Sequence, residues 1–291
     1  MNDWDIILTP KRKLLSFNIR ELLRFKDLIM LFVKRDFISI YKQTILGPLW
    51  IILQPLLTSI TLTVVFGMIA GIKTGAPTIL FMLAGVTVWS YFADCVTKTS
   101  DTFIANQNIF GKVYFPRLVV PLSIVITNFI KFLIQLVLFI MVYVLYVTLW
   151  DTNTGVQLTW QLSLLPVIII IMAGLGLGFG LIISSLTTKY RDLRFLIQFG
   201  ISLAMYASPI VYPLSKVPEK YQWLMVLNPM TSVIETFKYG FFGPYAKGDP
   251  DTPIAIFEWW HLAYSAGFAM AVLFLGIVLF NRIEKSFMDT I

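Results

Sequence analysis

Six long apolar runs dominate this sequence, and each is near or above the length of about 20 residues that a helix needs to cross a bilayer. They cover residues 45–71, 78–96, 118–149, 162–186, 195–212 and 261–280. Hydrophobic residues make up 57% of the chain and charged residues only 13%, whereas soluble proteins average about 45–50% and about 25%. A soluble domain could not bury so much apolar surface. The sequence therefore predicts an all-α integral membrane protein with six transmembrane helices.

The segment before the first run predicts an amphipathic helix at the membrane surface. Between residues 18 and 42, apolar side chains recur at roughly helical spacing and the charged side chains fall mostly on the other side. The basic end of this segment, from Arg35 to Lys42, then leads through Gly47 and Pro48 into the first span. We divide the chain into a cytoplasmic lead with this interface helix, residues 1–44, and a six-span transmembrane domain, residues 45–291.

The basic residues predict the orientation of the chain. Most of the lysines and arginines lie before the first span, between spans two and three, between spans four and five, and after span six. Cytoplasmic connections carry such an excess, so both termini are expected in the cytoplasm. The net charge of +7 is explained by this asymmetry, and no nucleic-acid partner is expected. The opposite side carries Lys73, Lys216, Lys220, Lys238 and Lys247.

The connection between spans five and six contains two apolar pieces that are too short to cross. They lie at 223–227 and 230–242, on either side of the helix breaker Asn228-Pro229. A re-entrant helical hairpin over about 217–242, dipping in from the outer face, fits this pattern best. A pair of surface helices covering the outer side is the alternative.

The sequence offers no catalytic or metal-binding constellation. It contains no GxxxxGK[ST], GxSxG or HExxH pattern. Cys95 and His261 are the only residues of their types, which leaves no metal site and no disulfide within one chain. The glycine-rich run at 174–180 lies inside an apolar span, where small residues favour close helix packing. We expect neither an enzyme nor a resident cofactor.

Polar residues inside the spans indicate either a hydrogen-bonded stripe between helices or the lining of a translocation path. Asn128, Lys131 and Gln135 share one face of the third span. A lysine in a membrane requires water, a bundle interior or a carboxylate, and Asp94 in the second span is the candidate partner of Lys131. The candidate lining residues are Asn128 and Lys131 with the aromatic residues Trp89, Tyr91, Phe92 and Tyr206.

Short motifs are spread over roughly residues 30–245: RD at 35–36, YKQT at 41–44, KVYFPR at 112–117, YRDL at 190–193, SPI at 208–210 and NP at 228–229. Together they resemble those of bacterial polysaccharide export permeases, the membrane subunits of type-two ABC exporters for O-antigen, capsule and teichoic acid. The sequence departs from that pattern after Asn228-Pro229, where an arginine is common and Glu235 and Lys238 stand instead.

The resemblance implies a multi-pass protein of the bacterial inner membrane that acts as a homodimer with a channel at the dimer interface. It implies two copies of a separate ABC ATPase, which would bind the ATP and Mg²⁺, and a lipid-linked glycan as substrate among the membrane lipids. Coupling to the ATPase is then expected from Arg35, Asp36, Tyr41, Lys42, Asn108 and Lys112. Arg35 and Arg117 are expected to hold the substrate phosphate. The hairpin residues Trp223, Asn228, Pro229 and Glu235 are expected to form the outer gate.

A second class of transporter remains open at this point. An ion-coupled secondary transporter or lipid flippase could use Asp94 and Lys131 as a proton relay. One intramembrane acid–base pair is sparse for such a carrier, and no internal inverted repeat is apparent in the sequence. An integral membrane transferase would need a cluster of carboxylates or histidines that the sequence does not contain.

Overall fold

The computed structural model describes residues 19–42, 44–110, 113, 115–149, 157–190, 192–246 and 249–288. This part of the chain is helical apart from one short antiparallel pair of strands, β1 (Tyr245–Ala246) and β2 (Asp249–Pro253), which precedes the last helix. The helices form the whole packed body, as expected for an all-α membrane protein.

Twelve α-helices are present in the described residues. They are α1 (Ile19–Arg24), α2 (Lys26–Tyr41), α3 (Trp50–Leu62), α4 (Thr78–Ser100), α5 (Thr102–Ala105), α6 (Gln107–Phe110), α7 (Val119–Leu149), α8 (Leu165–Thr187), α9 (Leu193–Tyr206), α10 (Glu219–Leu227), α11 (Pro229–Phe242) and α12 (Trp259–Met288). A 3₁₀ turn at Gly47–Leu49 precedes α3, and a π-helix at Thr63–Ile69 continues it. Further 3₁₀ turns lie at Trp160–Leu164 and Leu214–Lys216.

Five of the six predicted runs form helices that are long and apolar enough to cross a membrane, counted over the described residues. These helices are Gly47–Ile69, Thr78–Ser100, Val119–Leu149, Trp160–Thr187 and Trp259–Ile283. The fifth predicted span, 195–212, differs, because its helix α9 has 14 residues and ends at Tyr206. At 1.5 Å per residue α9 is about 21 Å long, which is shorter than the hydrocarbon core of about 30 Å.

Helix α4 lies at the centre of the fold. It packs against α3, α7, α8 and α11, and every side chain from Leu80 to Trp89 is buried. The same helix carries Asp94 and Lys98 near its end. The central helix therefore both organises the core and presents two charged groups at one end of it.

The glycine-rich run of α8 allows α4 and α12 to approach closely. A Cβ atom added to Gly180 would lie 2.4 Å from Thr99 Cβ on α4, and one added to Gly178 would lie 2.7 Å from the Leu273 backbone nitrogen on α12. Carbon atoms do not pack at such separations, so only glycine permits this spacing. The predicted role of the run in helix packing is confirmed.

Candidate functional site

A row of five phenylalanine rings connects α2 to the far end of α12. Ring centroids are 5.7 Å apart for Phe32 and Phe115, 5.8 Å for Phe115 and Phe110, 6.0 Å for Phe110 and Phe103, and 4.6 Å for Phe103 and Phe280. All five side chains are buried, and these separations are favourable for aromatic pairs. The aromatic row therefore joins α2, the α4–α7 connection and α12 into one packed unit.

The two arginines predicted to hold phosphate both adjoin the aromatic row. The Arg35 guanidinium carbon lies 4.6 Å from the centroid of the Phe32 ring, and that of Arg117 lies 5.2 Å from the centroid of Phe110. Arg35 also forms an ion pair with Asp36, with 2.8 Å between Nη2 and Oδ1. Arg35 is exposed, whereas Arg117 is only 4% exposed. The structure thus brings both residues to the same cluster but leaves only Arg35 at the surface.

Two of the other predicted coupling residues, Lys42 and Asn108, have exposed side chains. Lys42 is exposed and closes α2, since its backbone N–H donates to the Ile38 carbonyl at 3.0 Å. Asn108 is exposed on α6, and Tyr41 is the last residue of α2. Lys112 lies outside the described residues, as do the basic residues of the lead at 11–13.

A cluster of charged and polar side chains joins α4 to α7. Asp94 Oδ2 lies 3.2 Å from Lys98 Nζ and 3.5 Å from Lys131 Nζ. Lys98 Nζ also donates to Asn128 Oδ1 at 3.1 Å. The predicted contact between Asp94 and Lys131 is confirmed. One carboxylate is thus shared by two ammonium groups, and the cluster carries net positive charge.

Three of the predicted lining residues lie inside the core of the single chain. Trp89, Tyr91 and Phe92 are each at most 9% exposed. Trp89 packs edge-on against Phe92, and Tyr91 packs against Phe132 of α7. Their rings therefore fill the spaces between α4 and its neighbouring helices, instead of facing an open surface.

Apolar side chains of α3 and α9 are left without cover within the chain. On α9 the exposed residues recur at helical spacing: Phe195, Leu196, Phe199, Leu203 and Tyr206. Tyr206, a predicted lining residue, is 50% exposed, and its ring centroid lies 6.4 Å from that of Phe66. On α3 and its π-helical continuation the exposed residues are Leu57, Ile60, Val64, Val65, Met68 and Ile69.

Within the predicted fifth span, the chain directly after α9 is buried, non-helical backbone. Ser208, Pro209 and Ile210 are buried, and Lys238 of α11 donates to the carbonyls of Pro209 and Ile210. Space for this segment comes from Gly85 of α4, where a Cβ atom would lie 2.9 Å from Ile210 Cγ2. Irregular backbone is tolerated at membrane depth when protein groups satisfy it, and Lys238 does so here.

Helices α10 and α11 form the predicted helix–breaker–helix arrangement around Asn228-Pro229. Asn228 caps α11, because its Oδ1 accepts from the Met230 backbone N–H at 3.0 Å. Its Nδ2 donates to Ser208 Oγ at 2.9 Å, and the buried Pro229 occupies the first helical position. Trp223 of α10 is 60% exposed. The cap residue thus ties the hairpin to the buried segment that follows α9.

Glu235, a predicted gate residue, lies within the fold. Its side chain is 1% exposed, and its Oε2 accepts from the Ile256 backbone N–H at 2.7 Å. It stands one helical turn before Lys238. Glu235 and Lys238 therefore fix α11 to the segments before α12 and before α10.

A further ion pair lies where α4 and α9 approach each other. Arg194 Nη1 is 3.8 Å from Asp101 Oδ1. Burial raises the pKa of the Asp101 carboxyl group, and the Arg194 charge acts in the opposite direction. The pair links the start of α9 to the α4–α7 connection that carries the aromatic row.

Sequence reasoning missed several of these residues. Lys98 was assigned only to a cytoplasmic connection, although its position four residues after Asp94 could have indicated the ion pair. The aromatic row brings together three separate segments of the chain, and no local sequence pattern predicts their contact. The burial of Lys238 could not be predicted from the sequence either, since its partners are backbone carbonyls of another segment.

Comparison with known proteins gives the family. Residues 27–242 match the family described as ABC-2 type transporter. The chain belongs to this family. It is therefore similar to transport permeases and not to enzymes.

Several characterised relatives align over most of their length. The chain is 29% identical over 263 residues to an O-antigen export system permease protein RfbA of Klebsiella pneumoniae, covering 90% of this chain and 94% of that one. It is 27% identical over 227 residues to an RfbA of Myxococcus xanthus, covering 77% and 84%. It is 26% identical over 251 residues to the polysialic acid transport protein KpsM of Escherichia coli, covering 84% and 89%.

Proposed function

We propose that this chain is the membrane-spanning subunit of an ABC exporter. The exporter moves a lipid-linked polysaccharide of the O-antigen, capsule or teichoic acid type from the cytoplasmic side across the bacterial inner membrane. ATP hydrolysis on a separate subunit, which binds ATP and Mg²⁺, drives the movement. The observation that carries this proposal is the nearly full-length similarity to polysaccharide export permeases, at 90% of this chain and 94% of the first relative.

In the proposed topology the chain crosses the membrane six times and both termini are cytoplasmic. Helix α9 and the non-helical segment 207–213, whose residues 208–211 are buried, together make the fifth crossing. Lys238 satisfies the Pro209 and Ile210 carbonyl groups of that segment, as the hydrocarbon environment requires. Helix α2 lies on the cytoplasmic surface, and α10 with α11 enters from the outer face as a re-entrant hairpin.

The ATPase would contact the surface formed by α2, α5 and α6. Arg35, Asp36, Tyr41, Lys42, Asn108 and Lys112 belong to this surface in the proposal. The aromatic row begins there at Phe32 and ends at Phe280 on α12, and its rings are close-packed. Packed interiors transmit displacement because they have little free volume. Movement of the ATPase is therefore passed to α12 and to the start of α7.

The translocation path would lie between two copies of this chain. In this proposal α3 and α9 face the second copy; their apolar faces have no cover within one chain, a property that they share with α7 and α12. The exposed Arg35 lies at the cytoplasmic end, where a guanidinium group holds phosphate well. Arg117 lies there too, but its side chain is only 4% exposed and would reach a phosphate only after its surroundings move. The Asp94–Lys98–Lys131 cluster adds net positive charge on the same side, and the hairpin with Trp223, Asn228, Pro229 and Glu235 closes the outer end.

A proton-coupled carrier is the second candidate. The observation in its favour is the distance of 3.5 Å between Lys131 Nζ and Asp94 Oδ2. Such a pair could exchange a proton within the membrane. The family assignment argues for ATP as the energy source, and the two candidates differ in what drives transport.

The proposed partnership is tested by co-expressing the chain with a candidate ABC ATPase from the same genome. We expect a complex of two permease and two ATPase subunits whose ATP turnover depends on the contact surface. Phe115→Leu keeps most of the buried volume but removes one ring of the aromatic row. We expect this variant to assemble normally and to lose most of the ATP turnover that substrate stimulates.

Phe139→Leu is the matched control, because Phe139 is also fully buried but belongs to a different aromatic cluster with Phe237 and Phe241. If both variants lost the same fraction of substrate-stimulated ATP turnover, the aromatic row would have no specific role in coupling. A chain that purifies without any ATPase would contradict the proposed partnership.

A further inference from the structure

A cavity of about 590 Å³ lies where the end of α3 and the segment before α10 meet. Two separate loops form it, one after the π-helix and one after α9. The residues that line it are Gly71, Ile72, Lys73, Tyr212, Lys216, Val217 and Pro218. The cavity is thus formed by the loops that follow the first and fifth predicted spans, and both of these spans have uncovered apolar faces.

The chemistry of this cavity is amphipathic and positively charged. Lys73 and Lys216 supply two ammonium groups, and no acidic side chain occurs among the described lining residues. The rest of the wall is mainly apolar, with the Tyr212 ring beside it. Lysine ammonium groups bind phosphate as compact charges with up to three donors, and an apolar wall suits the glycerol or acyl end of a lipid.

Both lysines stand on backbone that is held in place. On the first loop, the buried Thr74 donates through Oγ1 to the Ala76 carbonyl at 2.8 Å. On the second loop, Ser215 Oγ donates to the Pro253 carbonyl at 2.7 Å, and the Lys216 backbone N–H donates to Pro213 at 3.0 Å. The two loops that carry Lys73 and Lys216 are therefore already ordered before a ligand binds.

The first span ends in an unusual way at this cavity. Its last residues, Thr63–Ile69, form a π-helix, a rare element that is common at functional sites. The chain then reverses at Gly71, whose φ of +67° lies in the left-handed region. This ending brings Lys73 back toward the loop that carries Lys216.

We propose that this cavity binds the phosphate group of an anionic lipid at the outer end of the translocation path. The placement at the outer end rests on the topology in the proposed function; the binding itself does not. Two lipids offer the required chemistry: the phosphate-bearing carrier of the exported glycan and an ordinary anionic phospholipid. A carrier phosphate held there would leave the exported glycan anchored in the outer leaflet after transport.

Binding can be measured on the full chain purified in a mild detergent. The probes are phosphatidylglycerol and a polyprenyl pyrophosphate, and phosphatidylcholine, a zwitterion without net charge, is the reference. Native mass spectrometry then gives the bound fraction of each lipid during a titration. The test variant is Lys73→Gln with Lys216→Gln. Each basic residue near a membrane surface contributes about a fivefold gain in affinity for anionic lipid, so the double variant should bind about thirtyfold more weakly.

Lys220→Gln is the matched control, since Lys220 is exposed on the neighbouring α10 and does not line the cavity. Wild-type affinity in this control, with loss in the double variant and recovery in Lys73→Arg with Lys216→Arg, supports the site. A stronger effect on the pyrophosphate than on phosphatidylglycerol assigns the site to the glycan carrier, and the reverse assigns it to phospholipid. Unchanged binding in the double variant, or equal loss in the control, would overturn the proposal. Because no ATPase is present, these results are independent of whether the chain exports polysaccharide.

Discussion

Replacement of Lys238 by methionine should destabilise the protein strongly. The side chain is 0% exposed, donates to the Pro209 and Ile210 carbonyls, and places its ammonium group 3.3 Å from the centroid of the Phe81 ring. Methionine fills much of the same volume but leaves the two carbonyls without this donor and Glu235 without a nearby buried positive charge. Each buried carbonyl left without a donor costs about 1–3 kcal/mol, so the variant should lose about 2–6 kcal/mol.

The single cysteine provides the assay. Cys95 is 0% exposed, so a thiol-reactive fluorogenic dye reports its exposure when the detergent-solubilised chain unfolds. At about 2–4 °C per kcal/mol for a chain of this size, that loss corresponds to a midpoint lower by about 4–24 °C. Lys220→Met makes the same chemical change at an exposed position, and its midpoint should stay close to wild type.

A double variant separates the charge from the packing. Glu235→Gln with Lys238→Met removes both buried charges and should be less destabilised than Lys238→Met alone, because no uncompensated carboxylate remains. If Lys238→Met unfolds at the wild-type temperature, the ammonium group does not hold the segment after α9. Additive losses in the double variant would show that the two charges do not interact.

Three further outcomes follow from the packing and the caps, each measured with the same dye. Gly178→Ala should lose about 1–3 kcal/mol, while Gly174→Ala, one turn earlier and with 3.7 Å to its nearest neighbour on α12, should be neutral or stabilised; equal midpoints would contradict the close helix approach. Asp94→Asn should lower the midpoint more than Lys98→Gln, because it leaves two ammonium groups facing each other, and the reverse order would argue against the shared carboxylate. Asn228→Ala should cost about 1 kcal/mol through the lost cap, and no change would mean that the cap is not needed.

Five helices long enough to cross a membrane, and the two short helices on either side of Asn228-Pro229, could be predicted because each depends on local sequence. Apolar length specifies a crossing helix, and the pair Asn228-Pro229 supplies both an N-cap and a proline at the first helical position. The contact between Asp94 and Lys131 could also be predicted, since a lysine among apolar residues needs a partner and few carboxylates are within reach.

The predicted fifth span could not be described correctly from local sequence. Residues 207–213 are apolar enough to continue a helix, but Pro209 removes a backbone donor and disfavours helical geometry before it. The segment nevertheless stays buried because Lys238 and Gly85 accommodate it from other helices. Such support comes from residues distant in sequence. For the same reason, the sequence alone assigned Trp89, Tyr91 and Phe92 to a path when their neighbours in space make them core residues.

The most direct test of the proposed function is the energy source of transport. The chain and its co-purified ATPase would be reconstituted into vesicles that contain a lipid-linked polysaccharide, and the glycan exposed on the far side would be measured with a lectin. We expect exposure with ATP and Mg²⁺, none with a non-hydrolysable analogue, and none with a proton gradient alone. Transport driven by a proton gradient without ATP, and abolished by Asp94→Asn, would contradict the account and make the Asp94–Lys131 pair a proton relay.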